Sequence, residues 1–234
     1  MGKITSLLLF GAMALMLVAP TSRAQEAYNW SGFYLGVHAS YDWSQTTSFG
    51  TNTVTGASSP SATTNDSTPS AGLQAGYDYM FPSHLVFGAV AGVSLVDSTT
   101  TSSSSSLDGT NVVTGHGDTD WSGTVRARLG YALDSALVYG TAGWAWTTGS
   151  TTRIQNAGTT GNATPGTSET VSTIHSGWTL GGGLELAFAQ NWSVFGEYRY
   201  TEYGSLTTLF PIAQRSTTSS TTSNGVTFGL NYRF

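Results

Sequence analysis

The chain lacks cysteine and carries few charged side chains. None of its 234 residues is cysteine, and only 9% are Asp, Glu, Lys or Arg, against the roughly 25% that is usual in soluble domains. Zero cysteine excludes a disulfide scaffold, a Cys-ligated zinc site, an iron–sulfur cluster and a cysteine nucleophile. The formal charge of −5 is weakly acidic, which argues against a basic surface for nucleic acid.

The chain has one long apolar run, at its N-terminus. This run of 13 mostly apolar residues, 7–19, follows Lys3 and precedes Pro20 and the triplet Ser22-Arg23-Ala24. The pattern predicts a signal peptide, residues 1–24, that is removed after Ala24. A spanning helix needs about 20 apolar residues, so the run is short for one. The expected mature chain, residues 25–234, has six arginines, no lysine and 13 acidic residues, a formal charge of −7.

Eight segments of the expected mature chain alternate apolar with small or polar residues, the period of a β-strand. The fourth is the clearest, because Arg126 and Arg128 share one face and the other face has no charge. The phase of the fifth is ambiguous, and we favour Val138, Ala142, Trp144 and Trp146 as its apolar face. The eight segments are approximately 33–43, 72–81, 85–95, 121–131, 137–146, 178–188, 192–201 and 226–234.

The connections between these segments alternate between short and long. The short ones lie near residues 82–83, 132–136 and 189–191. The long ones, 44–69, 96–120, 147–176 and 204–224, are rich in Ser, Thr, Gly and Asn. Four long loops on one side are typical of transmembrane β-barrels and uncommon in compact soluble domains. We therefore predict exposed outer loops centred near Ser58, Ser104, Gly161 and Ser219.

The polar face of the strands fits the interior of a barrel better than the apolar face does. An eight-stranded barrel has room inside for glycines and a few long side chains, but not for eight rows of aromatic rings. The sequence thus predicts an all-β fold, an eight-stranded antiparallel up-and-down transmembrane β-barrel with four long outer loops. The alternative is a soluble secreted barrel with its apolar face inward.

The predicted interior holds a balanced set of charges. These form a lumenal charge network: Asp78, Arg126, Arg128, Glu185, Glu197, Arg199 and Arg233, with Asp42 as an eighth member. Strand positions predict one layer of Asp78, Arg128 and Glu185, and another of Arg126, Glu197 and His38, with Arg199 just above. Because the eight charges cancel, we predict that they form a plug of charge-assisted hydrogen bonds. The alternative is the selectivity filter of a pore.

Three motifs of this chain resemble those of a known family. The stretch Asn29-Trp30-Ser31-Gly32-Phe33-Tyr34-Leu35-Gly36 resembles the WSGFYxG opening of small outer-membrane β-barrel proteins of Gram-negative bacteria, called outer membrane immunogenic or porin-family proteins. The stretch Glu197-Tyr198-Arg199-Tyr200 is similar to that family's EYRY motif. The C-terminus resembles the signal read by the barrel-assembly machinery. That signal consists of the alternating apolar residues Phe228, Leu230, Tyr232 and Phe234.

The resemblance covers essentially all of the expected mature chain. It implies a location in the bacterial cell outer membrane, contact with outer-membrane lipid and lipopolysaccharide, and the barrel-assembly machinery as a partner during biogenesis. It leaves open a host or surface ligand for the loops.

No residues of the chain form a recognisable catalytic, cofactor or metal motif. The four histidines have no partner at metal spacing. The nearest approach to a catalytic pair is His175-Ser176, and adjacent strand residues point to opposite faces. We therefore expect no enzyme and no cofactor. The expected function is an envelope-structural and surface-exposed role, of antigen or adhesive type, through the loops. A narrow porin-like passive channel for small solutes is the alternative.

Overall fold

The strands close into a single barrel. The computed structural model describes residues 28–105 and 111–234, so the predicted signal peptide lies outside the described residues. Each strand pairs antiparallel with the next, and β8 returns to pair with β1. The strands are β1 (Gly32–Asn52), β2 (Ala62–Met80), β3 (Leu85–Ser105), β4 (Val112–Leu133), β5 (Ala136–Ala157), β6 (Ser168–Ala187), β7 (Trp192–Phe210) and β8 (Arg215–Arg233).

The apolar rows face outward, as the alternation predicts. Phe33, Leu129 and Phe228 are 60–68% exposed, whereas Arg126 and Arg128, on the opposite face of β4, are buried. In β5 the side chains of Val138 and Trp144 are exposed, which confirms the phase favoured for that strand. No helix within the described residues is long and apolar enough to cross a membrane.

Aromatic side chains form a ring near each end of the outward apolar band. At the end where β1 begins and β8 ends, the Tyr232 ring lies 5.0 Å from the Trp192 ring and 5.1 Å from the Phe234 ring. At the other end, the rings of Trp178 and Tyr200 lie 5.4 Å apart. Such girdles mark the two interfaces of a membrane.

The strands extend well beyond the second aromatic ring, so the outer connections are shorter than predicted. The strands have 19–22 residues, about twice the 9–11 that cross a bilayer. Ser219, predicted near the centre of a loop, instead pairs with Ser48 inside β8. The extensions carry hydroxyl side chains on both faces, so they show no hydrophobic period. Cross-strand hydroxyl pairs such as Thr46–Thr221 (2.9 Å) and Thr152–Thr170 (2.8 Å) link them.

The outer extensions divide into two four-stranded lobes. Pairing between β2 and β3 stops at Ser70–Val96, and pairing between β6 and β7 stops at Gly177–Tyr203. One lobe therefore consists of β7, β8, β1 and β2, and the other of β3, β4, β5 and β6. The lobes meet again beyond β7, where the Glu169 carboxylate accepts hydrogen bonds from the backbone N–H groups of Ile212 (2.8 Å) and Ala213 (2.9 Å).

Candidate functional site

The lowest charged layer of the lumen is centred on Arg128. Its guanidinium forms an ion pair with Asp78 of β2 at 3.1 Å and another with Glu185 of β6. Arg233 of β8 reaches the same oxygen of Asp78 at 3.0 Å. All four side chains are almost completely buried. The layer contains two positive and two negative charges, so it is formally neutral.

A second layer lies above the first. Arg126 pairs with Glu197 of β7 and donates to the Thr141 hydroxyl at 3.3 Å. Arg199 and Asp42 lie 3.6 Å apart and are more exposed. The eight predicted charges thus come together as ion pairs in the lumen. His38 is not part of the ion pairs: its Nε2 lies 2.8 Å from the Ser94 hydroxyl, and its buried Nδ1 has no hydrogen-bond partner.

Neutral side chains that the sequence reasoning did not single out complete the network. Arg128 stacks on the Tyr139 ring, 3.8 Å from its centroid. Gln74 donates to Asn231 (2.8 Å), and Asn231 donates to Glu185 (2.9 Å). Alternation along the strands places these residues on the inward face, and this was the sequence signal that could have identified them. They satisfy hydrogen-bonding groups that buried charges would otherwise leave unpaired.

Two glycines make room for the inward tyrosine rings. A Cβ at Gly183 would overlap the Tyr139 ring, and a Cβ at Gly76 would overlap the Tyr34 ring. The glycine-rich inward face of the strands is therefore part of the plug, since it admits large side chains into a narrow lumen.

The segment before β1 closes the lower end of the barrel. Trp30 is fully buried and packs in an apolar cluster with Val86, Ala132, Leu137 and Tyr139. Its indole N–H donates to the Asp134 carbonyl at 3.4 Å. Its own carbonyl accepts a hydrogen bond from Arg233. Arg233 thereby links the last strand, the N-terminal segment and the lower charged layer.

A large polar cavity lies between the two lobes, above the plug. Its volume is about 490 Å³, and hydroxyl side chains together with Asp42, Asp66, Asp118 and Arg199 line it. We call this cavity the vestibule. At the level of the plug the remaining space is only about 10 Å³, which is close to that of one water molecule. The paired side chains of the plug thus occupy most of the lumen at this level.

His175 also lines the vestibule, and its Nε2 contacts the Gly204 carbonyl. No group of three or more His, Asp or Glu side chains in the described parts of the chain is placed to hold a metal ion.

Comparison with known proteins identifies the family. The sequence matches the family "Outer membrane protein beta-barrel domain" over residues 10–234. The chain belongs to this family. It is 31% identical to the 31 kDa outer-membrane immunogenic protein of Brucella melitensis, with 92% of this chain and 88% of that protein covered. It is 30% identical to the 25 kDa outer-membrane immunogenic protein of Brucella abortus, with 92% and 84% covered.

Solved structures share the architecture of this outer-membrane barrel. The outer membrane protease OmpT of Escherichia coli matches with a TM-score of 0.53 and 10% identity, covering 92% of this chain and 99% of that one. Neisserial surface protein A matches with a TM-score of 0.45 and 15% identity, covering 87% and 98%. At these identities the likeness concerns the fold alone.

Family membership places the protein in the bacterial outer membrane, so the exposed apolar rows face lipid. Phe228 and Phe234, two residues of the predicted assembly signal, are 66% and 70% exposed on that surface, and Leu230 and Tyr232 are partly exposed. They form part of the lipid-facing row of β8.

Proposed function

We propose that this protein is a closed outer-membrane anchor whose two lobes form a surface-exposed platform of antigen or adhesive type. The observation that carries the proposal is the formally neutral plug, in which each of the eight charges has an ion-pair partner. A barrel whose lumen is filled by matched charges is suited to holding outer strands rigidly rather than to passing solutes. The immunogenic relatives support a surface role for the lobes.

The chemistry of the lobes supports display rather than catalysis. Their side chains are mostly hydroxyls, which can exchange hydrogen bonds with water, saccharide or protein without ordering a reactive centre. His175 contacts a backbone carbonyl instead of a nucleophile. We therefore propose that the protein is not an enzyme and has no cofactor.

We further propose that lipopolysaccharide surrounds the outer half of the barrel and that the barrel-assembly machinery inserts it through the terminal strand. The outward position of Phe228 and Phe234 supports this assignment. A host or surface ligand would reach the protein only through the lobes.

Conductance in planar bilayers tests the closed anchor against the porin-like channel. The purified protein is inserted into bilayers, and flotation of vesicles containing the same sample verifies insertion. We expect no steady current. Steady ohmic steps from the inserted wild-type protein would overturn the plug and favour a narrow passive channel for small solutes.

A further inference from the structure

The arginines of this chain fall into two groups. From residue 28 onward the chain has six arginines and no lysine. Arg126, Arg128, Arg199 and Arg233 each form an ion pair in the plug. The remaining two, Arg153 and Arg215, lie in the outer extensions of β5 and β8, beyond the upper aromatic ring.

Arg153 and Arg215 come from different lobes and lie on the two sides of the junction where the lobes join. Arg153 is the register partner of Glu169 on β6. The carboxylate of Glu169 binds the backbone N–H groups of Ile212 and Ala213, which precede Arg215 by three and two residues. Both arginines face the barrel interior. Arg153 donates to the inward, fully buried Gln155, and the guanidinium of Arg215 lies beside the inward Gly50.

Neither guanidinium is matched by a carboxylate. Among the residues that the structure describes, neither forms an ion pair within 4.0 Å, in contrast to the plug arginines. Arg153 makes a hydrogen bond to Gln155 at 3.0 Å. The buried Nε of Arg215 has no hydrogen-bond partner, but neither do the Nε atoms of Arg126, Arg128 and Arg233, so the missing ion pair is what distinguishes Arg153 and Arg215 from the plug arginines. Both oxygens of Glu169 already accept backbone N–H groups.

The two positive charges at the junction oppose each other. Burial lowers the pKa of Arg153, and the neighbouring charge of Arg215 lowers it further, while Glu169 opposes this shift. Two like charges at one junction destabilise the folded protein. The chain has more acidic than basic residues, yet no carboxylate neutralises these two arginines through an ion pair in the described structure. This indicates that an anion from outside the protein completes the site.

We propose that Arg153 and Arg215 form a binding site for a phosphate or sulfate group at the outer mouth of the vestibule. A tetrahedral oxyanion offers enough oxygens to accept from two guanidinium groups at once, and arginine matches this geometry by paired donation. Asp42, Asp66 and Asp118 make the vestibule below acidic, so the anion stays at the mouth. The site goes beyond a display role and does not depend on whether the lumen conducts.

Arginine side-chain spectra test the site directly. The protein, labelled with ¹⁵N and held in nanodiscs of neutral phospholipid, gives one Nε–H signal for each of its six arginines. We expect inorganic phosphate to shift two signals saturably, and the spectra of R153Q and R215Q to identify them as Arg153 and Arg215. Sodium chloride at equal ionic strength should shift neither, because it only screens charge. If phosphate shifts no signal beyond this control, or shifts all six alike, the site does not exist.

Binding by the variants provides a second, independent measurement. R153Q and R215Q should each weaken phosphate binding by about tenfold or more, the effect of losing hydrogen bonds to a charged ligand. R215K keeps the charge but loses the planar fork, and should also weaken binding. Q190E, at an exposed position in the β6–β7 turn at the opposite end of the barrel, changes the net charge as much as R153Q or R215Q does and should have no effect. Equal affinity in all four variants would refute the site.

A second set of nanodiscs distinguishes the source of the anion. With lipopolysaccharide in the bilayer, a lipid phosphate at the site would shift the Arg153 and Arg215 signals before any phosphate is added. Unchanged signals that still respond to added phosphate would assign the site to a phosphorylated or sulfated molecule from the medium. If neither condition moves the two signals, the proposal fails.

Discussion

At the residue scale, the lumen shows how buried charges become tolerable in a barrel. Removing a charge from water is costly unless a partner and hydrogen bonds replace the solvent. Arg128 has two carboxylates and an aromatic face, and Glu185 accepts from Arg128, Asn231 and Ser193. Each member of this group depends on the others, so losing one partner leaves a charge that cannot reach water.

Replacing Glu197 by alanine should therefore destabilise the barrel. E197A leaves Arg126 without its carboxylate, and breaking such a buried pair costs about 3–5 kcal/mol of unfolding free energy. Urea-induced unfolding in lipid vesicles, followed by tryptophan fluorescence, measures the change. E202A is the matched control, because Glu202 is exposed on the same strand and should change stability little. Equal stability of the two variants would mean that the Arg126–Glu197 pair contributes nothing.

Trp30 contributes to the stability of the barrel through the burial of its apolar ring rather than through charge. W30A should lower the unfolding free energy by about 3–5 kcal/mol, the usual cost of removing a large buried aromatic side chain. The melting temperature of the folded band on a detergent gel measures the effect. W192A is the comparison, since Trp192 lies at the same end of the barrel but is 40% exposed on its outer surface. A larger loss of stability in W192A than in W30A would contradict the role of the buried Trp30 cluster at the lower end of the barrel.

At the element scale, the strands divide into a half that sequence alternation predicts and a half that it does not. Between the aromatic rings one face meets lipid and the other meets the plug, so residues such as Leu129 and Arg128 alternate sharply. In the outer extensions neither face contacts lipid, and Ser and Thr occupy both faces. The remaining signal was composition: threonine is β-branched and favours strands, yet the same residues are also typical of loops.

The candidate site was likewise predictable from the sequence in part only. The inward position of Arg126, Arg128, Glu185 and Glu197 follows from parity alone, and the order of their layers follows from counting along the strands. The stacking of Arg128 on Tyr139 depends on barrel shear and on the space left by Gly183, which no local pattern encodes. The Arg153–Arg215 junction was missed because the two residues lie in segments read as loops.

The terminal strand carries a prediction about assembly. Deleting Phe234 should strongly reduce insertion, because it shortens the exposed apolar row of β8 and removes the bond between the Phe234 N–H and the Phe33 carbonyl (3.0 Å). The measurement is the amount of heat-modifiable protein in isolated outer membranes. A V54A variant is the control, since Val54 lies in the β1–β2 connection and its side chain is 69% exposed. Normal levels of folded protein after the deletion would argue against the assembly signal.

At the scale of the whole molecule, the barrel is closed below and divided above. Trp30 and the charged layers fill the lower half, while the vestibule separates the two lobes. The lobes are tied together at the Glu169 junction. Any ligand that binds this protein from outside therefore meets the lobes and the vestibule before the charged layers of the lumen.

The same arrangement fixes where a tag can be reached from outside. The even number of strands places the start of β1 and the end of β8 at one end of the barrel, which is the periplasmic end in barrels of this type. Epitope tags inserted after Gly56 or after Pro165, both in exposed connections at the opposite end, should bind antibody on intact cells. A tag after Asp134, in the short turn between β4 and β5, should bind antibody only after the outer membrane is permeabilised.

A tag after Ser219 distinguishes the observed strand extension from a long loop. Ser219 pairs with Ser48 on one side and Leu206 on the other, so an insertion there interrupts both ladders of β8. We expect this tag to reduce the yield of heat-modifiable protein, whereas tags after Gly56 and Pro165 should leave it unchanged. Full yield together with antibody binding at Ser219 would show that the outer half of β8 behaves as a loop. Antibody binding at Asp134 on intact cells would invert the orientation of the whole barrel.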